Sequence, residues 1–281
     1  MEPVDPLRHP LLHCVIQGAR WAGEDQFPGS VGPDLFEEWL RFITCEGEFD
    51  RFRERLQASR SAKHRNATFA EIGAAYFLKK RCGLPIIAWE PVGPNGKEGE
   101  FLIALPGGRQ MFVEVKGPEW EAEIIDSEKK LGEPDPTTRP ARLDQPKYVD
   151  GEAFFFAAEP PIFKAVEKAY PKLPDSMPTL LIISDDLRVP LSEMPVDALL
   201  GAFYEKGISG AKGFSGENGC FFDRRYEKLG AAGTLNLVPG PPPGSTLGFQ
   251  FSLFRNPNAL PAVAVPQDAF AAIAIYDGLP R

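Results

Sequence analysis

The chain has 281 residues, of which 43% are hydrophobic and 25% are charged, and its formal net charge is −8. These are ordinary values for a globular protein and argue against general disorder. The longest uninterrupted apolar run, Ala269 to Ile275, is far shorter than the ~18 residues that a membrane helix requires, so no membrane partner is expected.

Cysteine usage and the first residues bear on the compartment. The four cysteines lie far apart and form no C-x-x-C pair, which is typical of reduced thiols. The first five residues show neither the basic start nor the apolar stretch of a signal peptide. We therefore expect a cytoplasmic protein. Its acidic net charge argues against a nucleic-acid coat but is compatible with a local basic face.

The first part of the chain predicts helices. Apolar residues recur at helical spacing over about 65 residues, so 1–66 is assigned to an N-terminal helical segment. Residues 67–281 are assigned to an α/β unit with a polar, proline-punctuated insert at 117–151. Thr68 is the expected N-cap of a helix over Phe69–Cys82, which ends at Gly83.

Strand signals follow this helix. Three strands are expected at Pro85–Glu90, Glu100–Leu105 and Arg109–Lys116, then a helix after Pro161 and a buried strand over Thr179–Ser184. The order from 69 to 184 is helix, three strands, helix, strand, which predicts an α/β core with mixed strand directions. The last strand candidates are Phe249–Phe254 and Ala262–Val265.

The second and third strands form a predicted hairpin. If Pro106–Gly108 is a three-residue loop, Glu100 lies directly opposite Glu114 on the next strand. Facing carboxylates only ~5 Å apart repel each other unless a divalent cation lies between them or one is protonated. Alternation along the strand places Lys116 on the same face as Glu114. A two-residue loop would shift the register and break this arrangement.

These residues carry a family resemblance. Glu100, followed on the next strand by Glu114-Val115-Lys116, resembles the PD-(D/E)xK nuclease signature, and Glu71 matches the helix glutamate of many members. The resemblance covers residues 69–184 and implies a restriction-endonuclease-like core of order α-β-β-β-α-β, a central mixed sheet flanked by helices. Members usually have Asp as the first acid, whereas this chain has Glu100, and Glu98 competes for that role.

The resemblance implies a metal-dependent hydrolysis of phosphodiesters. Hard oxygen ligands suit Mg²⁺ or Mn²⁺, and the implied ligands are Glu100, Glu114 and the Val115 carbonyl. Lys116 is expected to position the attacking water or to stabilise charge in the transition state. Glu71 is expected to hold a water or a second ion. The implied catalytic residues are Glu71, Glu100, Glu114 and Lys116.

A basic segment is the candidate nucleic-acid interface. Residues 51–81 contain nine Lys or Arg and two acidic residues, a net charge of +7. Such a stripe suits a phosphate backbone, although it is equally consistent with a solvated helical face. The predicted contacts with nucleic acid, DNA rather than RNA, are Arg51, Arg55, Arg60, Lys63, Arg65, Lys164 and Lys168.

Two functions follow from these features. The first is a metal-dependent nuclease, and the alternative is a catalytically inactive nuclease-fold module that binds nucleic acid or a protein partner. The fold does not decide between them, since one fold serves many functions. Oligomeric state is left open, with a homodimer as one option because many enzymes of this kind pair to cut two strands.

Overall fold

The computed structural model describes most of the chain in separate stretches. These are residues 4–19, 32–60, 62–117, 147–149, 152–154, 159–185, 199, 202–204, 211–214, 219–238, 248–270 and 274–277. Most of the predicted insert at 117–151 lies outside them. All four cysteines are within the described residues and are free thiols, as their spacing predicted.

Five α-helices have bounds in the described residues: α1 (Pro10–Gln17), α2 (Pro33–Cys45), α3 (Phe49–Ala58), α4 (Ala62–Tyr76) and α5 (Glu159–Ala169). α4 continues into a π-helical turn over Phe77–Arg81. The helix ends at Gly83, whose φ of +67° is in the left-handed region that glycine adopts without strain. This end is where the sequence predicted it.

The predicted N-cap at Thr68 is wrong. α4 already begins at Ala62, and the Thr68 hydroxyl donates a hydrogen bond of 3.1 Å to the His64 carbonyl one turn earlier. A threonine inside a helix can donate its hydroxyl to the carbonyl one turn earlier, just as a threonine at the N-cap can accept from a backbone N–H. The residue type alone therefore does not mark the start of a helix. One consequence is that residue 66, the end of the predicted N-terminal segment, lies inside α4.

A seven-stranded mixed sheet is the centre of the fold, in the order β1-β2-β3-β6-β9-β10-β11. β3, β6 and β9 are mutually parallel, and β2 and β10 run antiparallel to them. Two short hairpins, β4-β5 and β7-β8, are separate. The strands are β1 (Ile86–Trp89), β2 (Phe101–Ala104), β3 (Gln110–Lys116), β4 (Lys147–Val149), β5 (Glu152–Phe154), β6 (Thr179–Asp185), β7 (Ala202–Tyr204), β8 (Ala211–Phe214), β9 (Ala231–Val238), β10 (Gly248–Arg255) and β11 (Ala274–Asp277).

The β2-β3 hairpin has the register that the sequence predicted. Phe101 lies opposite Val113, and the Leu105 N–H donates a 2.8 Å hydrogen bond to the Arg109 carbonyl. The loop is therefore Pro106–Gly108, and both of its glycines have φ of +76°. The strand pairing ends at Phe101 and Val113, and the Glu100 N–H donates a 3.1 Å hydrogen bond to the Val113 carbonyl oxygen, which brings Glu100 next to Glu114.

Apolar side chains cover both faces of the sheet. Helices α1 to α4 pack on the face that carries Met111, Val113 and Val115 of β3. On the opposite face, α5 packs against side chains that include Phe112 and Leu181. Since side chains alternate along a strand, Glu114 and Lys116 belong to the α5 face. The chain is thus an α/β protein with helices on both sides of a mixed sheet.

The second half of the sheet was predicted only in part. β10 coincides with a predicted strand, whereas β9, over the sequence AAGTLNLV, gave no strand signal. Its small residues suit a central strand because Gly233 lies against the Phe251 ring of β10. The predicted strand at Ala262–Val265 is wrong, since these residues begin in a turn and then run without regular structure.

Within the described residues, no helix has both the length and the apolar character needed to cross a membrane.

Close packing beside β6 gives a test of the fold. A Cβ at Gly230 would lie 1.9 Å from the Val263 carbonyl oxygen and 2.9 Å from that of Thr179. We expect Gly230→Ala to lower the free energy of unfolding by about 1–3 kcal/mol in urea titrations. Gly32→Ala is the control, because nothing lies within 4 Å of its Cβ position. Equal stability of the two variants would contradict this packing.

Candidate active site

Three elements bring charged side chains together at one end of β3. Glu100 precedes β2, Glu114 and Lys116 are in β3, and Lys172 is in the 3-10 turn Tyr170–Lys172 that follows α5. Gly99 allows the approach of Glu100, since a Cβ at Gly99 would lie 2.2 Å from an atom of the buried Phe112 ring. Glu98, the other candidate for the first acid, is exposed.

The carboxylate of Glu114 is the centre of the site. Its side chain is 0% exposed. Oε1 accepts a short hydrogen bond from the Lys116 ammonium, and Lys172 Nζ lies 2.7 Å from the same oxygen. Oε2 is buried and has no hydrogen-bond partner among the described residues. A buried carboxylate oxygen without a partner is costly, so this atom has unused capacity as a ligand.

The Lys116 ammonium contacts all three ligands that the sequence predicted for a metal. Besides Glu114, it donates a 3.0 Å hydrogen bond to the Val115 carbonyl oxygen and lies 3.8 Å from Glu100 Oε1. One positive charge therefore already lies among the two carboxylates and the carbonyl. The ammonium marks the point at which these oxygens converge.

Glu100 has an unusual protonation equilibrium. Burial raises its pKa to about 8, and the negative charges of Glu71 and Glu114 add to the effect, whereas Lys116 and Lys172 oppose it. The Glu100 carboxyl is therefore mostly protonated at neutral pH. This is one of the two conditions under which facing carboxyl groups are tolerated.

Glu71 is held by an arginine. Arg55 donates two hydrogen bonds to its carboxylate, of 2.6 and 2.7 Å, in the bidentate geometry that gives strong charge-assisted pairs. Burial alone would lower the pKa of Arg55, but the hydrogen bond and the charge of Glu71 raise it overall. The structure thus places Glu71 in an ion pair near Glu100, with its two oxygens engaged by Arg55.

A strained residue joins this ion pair to the site. Glu90 has φ of +48°, which is unfavourable for a residue with a side chain. Its N–H donates a 3.0 Å hydrogen bond to the Glu100 carbonyl oxygen, and its carboxylate lies 2.7 Å from Arg51 Nη1 and 3.8 Å from Arg55 Nη1. The backbone of Glu100 is therefore fixed by a residue that is itself held by two arginines.

The predicted nucleic-acid contacts are not on one common exposed surface. Arg51 and Arg55 are engaged with acidic partners, and Arg65 is only 5% exposed. Arg60 is exposed, as are Lys164 and Lys168 on α5, while the side chain of Lys63 lies outside the described residues. Trp89 packs against Phe52 and Phe101 as a core residue. Whether the exposed cations bind nucleic acid stays a prediction.

The donor set fits a hard divalent cation. Two carboxylates and a main-chain carbonyl are the oxygen ligands that Mg²⁺ and Mn²⁺ prefer, and Glu114 Oε2 is available without breaking a hydrogen bond. Among the described residues, no group of three or more His, Cys, Asp or Glu side chains is arranged to hold a metal. Any cation here would therefore need the carbonyl and water to complete its coordination.

Lys172 and the Arg55–Glu71 pair were missed by sequence reasoning. Lys172 lies in the sequence YPKLP, where flanking prolines indicate only an irregular connection. Arg55 was assigned to nucleic-acid binding because it lies in the basic segment. Both contacts join residues far apart in the chain, and no local pattern marks them.

No protein-family model, no curated protein and no solved structure matches the chain.

The raised pKa of Glu100 predicts a pH dependence of stability. Because the folded-state pKa of about 8 exceeds the ordinary value of 4.5, the folded chain binds this proton more tightly than the unfolded chain between these pH values. The contribution of Glu100 to stability is therefore present below pH 4.5 and lost as the pH rises to about 8. We expect Glu100→Gln to remove this decline, worth on the order of 3 kcal/mol, in urea titrations from pH 5 to 8.5.

Glu98→Gln is the matched control for this measurement, since Glu98 is an exposed glutamate two residues away. It should keep the pH dependence of the parent chain. A decline that is unchanged in Glu100→Gln would show that another group titrates.

Proposed function

We propose that the chain is a metal-dependent nuclease with a restriction-endonuclease-like core, which hydrolyses phosphodiester bonds of nucleic acid, DNA rather than RNA. The observation that carries the proposal is the buried convergence of Glu100, Glu114, the Val115 carbonyl and Lys116, with one Glu114 oxygen left without a partner. An acidic residue two positions before a lysine, at the end of β3, is the pattern on which the resemblance to the nuclease family rests.

The order and pairing of elements support the proposed core. α4 is followed by the antiparallel strands β1, β2 and β3, then, after the separate β4-β5 hairpin, by α5 and by β6, which pairs parallel with β3. The site lies where β3 ends, next to its parallel neighbour. Active sites of α/β proteins are commonly at the carboxyl ends of such strands.

In the proposed mechanism, Glu100, Glu114 and the Val115 carbonyl would hold Mg²⁺ or Mn²⁺. When bound, the cation polarises the phosphate and makes a water nucleophilic at neutral pH. To hold the cation, Glu100 would have to be ionised, with its proton released to solvent, and Lys116 would be repelled from Glu114 Oε1 by the second positive charge. The Lys116 ammonium, tethered to β3, would orient the water or stabilise the negative charge that develops on the phosphate.

Two groups around the ligands have supporting roles. Glu71, held by Arg55, keeps a negative charge near Glu100 without competing for its position. The exposed Lys164 and Lys168 are on α5, which leads directly into the turn that carries Lys172. A nucleic-acid backbone that contacts this face of α5 would reach the site through electrostatic attraction, as phosphate contacts generally position a substrate.

One observation favours the second candidate, a binding module without catalysis. Lys116 and Lys172 already neutralise the carboxylates of the site, so the folded chain does not require a cation there. A fold that keeps its charged cluster only for stability would have this arrangement. The two candidates differ in whether the carboxylates bind a divalent cation and whether phosphodiesters are cleaved.

Cleavage assays test the nuclease proposal directly. Labelled single-stranded DNA, double-stranded DNA and RNA are incubated with the chain and Mg²⁺ or Mn²⁺, beside Lys116→Ala. We expect metal-dependent cleavage that falls by at least ~100-fold in the variant, because Lys116 acts on charge in the transition state. Cleavage that is equal in both proteins would place the activity elsewhere. The absence of cleavage by the folded parent chain would favour the binding module.

Cation binding gives an independent prediction. Glu114→Gln keeps the size of the side chain but removes its charge, and we expect it to abolish Mn²⁺ binding measured by electron paramagnetic resonance of the free ion. Glu98→Gln should bind Mn²⁺ like the parent chain, since Glu98 is exposed and outside the cluster. Mn²⁺ binding that survives in Glu114→Gln would contradict the assigned ligands.

A further inference from the structure

Lys172 is the second cation on the central carboxylate. Its Nζ lies 2.7 Å from Glu114 Oε1 and 3.8 Å from Glu100 Oε1, the same two oxygens that Lys116 contacts. Two ammonium groups therefore converge on one oxygen of a carboxylate that is 0% exposed. Two ammonium groups this close repel each other. The arrangement is therefore stable only while no further cation draws on the negative charge of Glu114 that lies between them.

The backbone holds Lys172 in this place. Its turn begins at Tyr170, whose ring packs edge-on against Tyr226. The next residue after Lys172, Leu173, is buried and only 1% exposed, so the backbone is anchored on both sides. The carbonyl oxygen of Lys172 would lie 2.5 Å from a Cβ at Gly93, so a loop packs tightly on its backbone. The position of the Cα is fixed, while the four-carbon side chain, one quarter exposed, can swing its ammonium toward solvent.

The two lysines differ in what retains them. Lys116 is part of β3 and also donates to the Val115 carbonyl, so it keeps a partner at the site when it leaves Glu114. At the site Lys172 contacts the carboxyl groups of Glu114, at 2.7 Å, and Glu100, at 3.8 Å, and the charge of Glu114 is the main attraction that holds it. A divalent cation bound by those carboxylates would remove the attraction that holds Lys172 and replace it with repulsion.

We propose that Lys172 is a positioning residue that sets the divalent-cation affinity of the site, by supplying the counter-charge of Glu114 in the cation-free state and withdrawing from Glu114 Oε1 when the cation binds. This inference rests on the proposed function for the identity of the cation. Because Lys172 acts through Glu114 and not on the substrate, this role is separate from catalysis. Cation binding then displaces Lys172 from its partners at the site, whereas Lys116 leaves Glu114 but keeps its hydrogen bond to the Val115 carbonyl.

The test is the affinity for Mn²⁺ alone, without nucleic acid, measured by electron paramagnetic resonance and by titration calorimetry. Lys172→Met keeps the length of the side chain and removes the charge that competes with the cation. We expect it to bind Mn²⁺ about tenfold more tightly than the parent chain. Lys172→Arg retains the charge and should return the affinity to within about twofold of the parent value.

Lys228→Met is the matched control. Lys228 is a second lysine whose ammonium pairs with a carboxylate, that of Asp175 at 3.9 Å, which is not one of the proposed ligands. We expect its Mn²⁺ affinity to equal that of the parent chain. If Lys172→Met unfolds without cooperativity, Lys172→Gln replaces it, since glutamine is also neutral but can still donate a hydrogen bond to Glu114.

The outcomes separate this inference from the proposed function. Unchanged or weaker Mn²⁺ binding by the folded neutral variant, Lys172→Met or Lys172→Gln, with normal binding by the parent chain, would overturn the role of Lys172 and leave the nuclease proposal intact. Binding by Lys172→Met when the parent chain binds no Mn²⁺ would support the role of Lys172 and count against a metal-dependent nuclease. The absence of Mn²⁺ binding from both would overturn both proposals.

Discussion

The burial of the Glu114 carboxylate is the constraint on which the site depends. A charged group that is 0% exposed must be paired, because the cost of removing it from water exceeds what any single hydrogen bond returns. Here two ammonium groups share one oxygen, while the other oxygen has no hydrogen-bond partner among the described residues. The two lysines therefore balance the charge of Glu114, while its hydrogen bonding is incomplete at Oε2. A buried polar atom without a partner is expected at a functional site rather than in a core selected only for stability.

The hairpin loop determines whether Glu114 is in this position at all. With the three-residue loop at Pro106–Gly108, Glu114 and Lys116 share the α5 face, and the Lys116 ammonium lies near the carboxyl groups of both Glu114 and Glu100. A shift of one residue would turn Glu114, and Lys116 with it, toward the face that α1 to α4 cover with apolar side chains, where Lys172 could not reach it. The two glycines with positive φ make the longer loop accessible without strain. Turn chemistry thus controls the electrostatics of the site.

The features that could be predicted follow from local sequence patterns, whereas the features that were missed depend on contacts between residues far apart in the chain. The register of β2 and β3 followed from one loop, and the alternation of β3 separated Glu114 from Val113 and Val115. β9 was missed because its small residues are chosen to fit the Phe251 ring of the next strand, not to signal a strand by themselves. Lys172 reaches Glu114 across 58 positions of sequence, and Arg55 reaches Glu71 from another helix. The acids of the site and Lys116 were predictable from the sequence, whereas Lys172 and Arg55 became visible as their partners only in the folded chain.

The pairing of the basic segment changes how a nucleic acid could approach. Arg51 and Arg55 were expected to face a phosphate backbone, but they neutralise Glu90 and Glu71 beside the site. The strained backbone of Glu90 is held between these arginines and the Glu100 carbonyl, so their charges serve the geometry of the first acid. A phosphate that bound Arg55 would have to compete with a bidentate carboxylate, which is unfavourable without a large gain elsewhere. Attraction of a polyanion must therefore come from cations that are exposed or that are released at the site itself. If the chain acts on nucleic acid as proposed, we expect a phosphate backbone to approach from the α5 side, where Lys164 and Lys168 are exposed and the helix leads into the turn at Lys172.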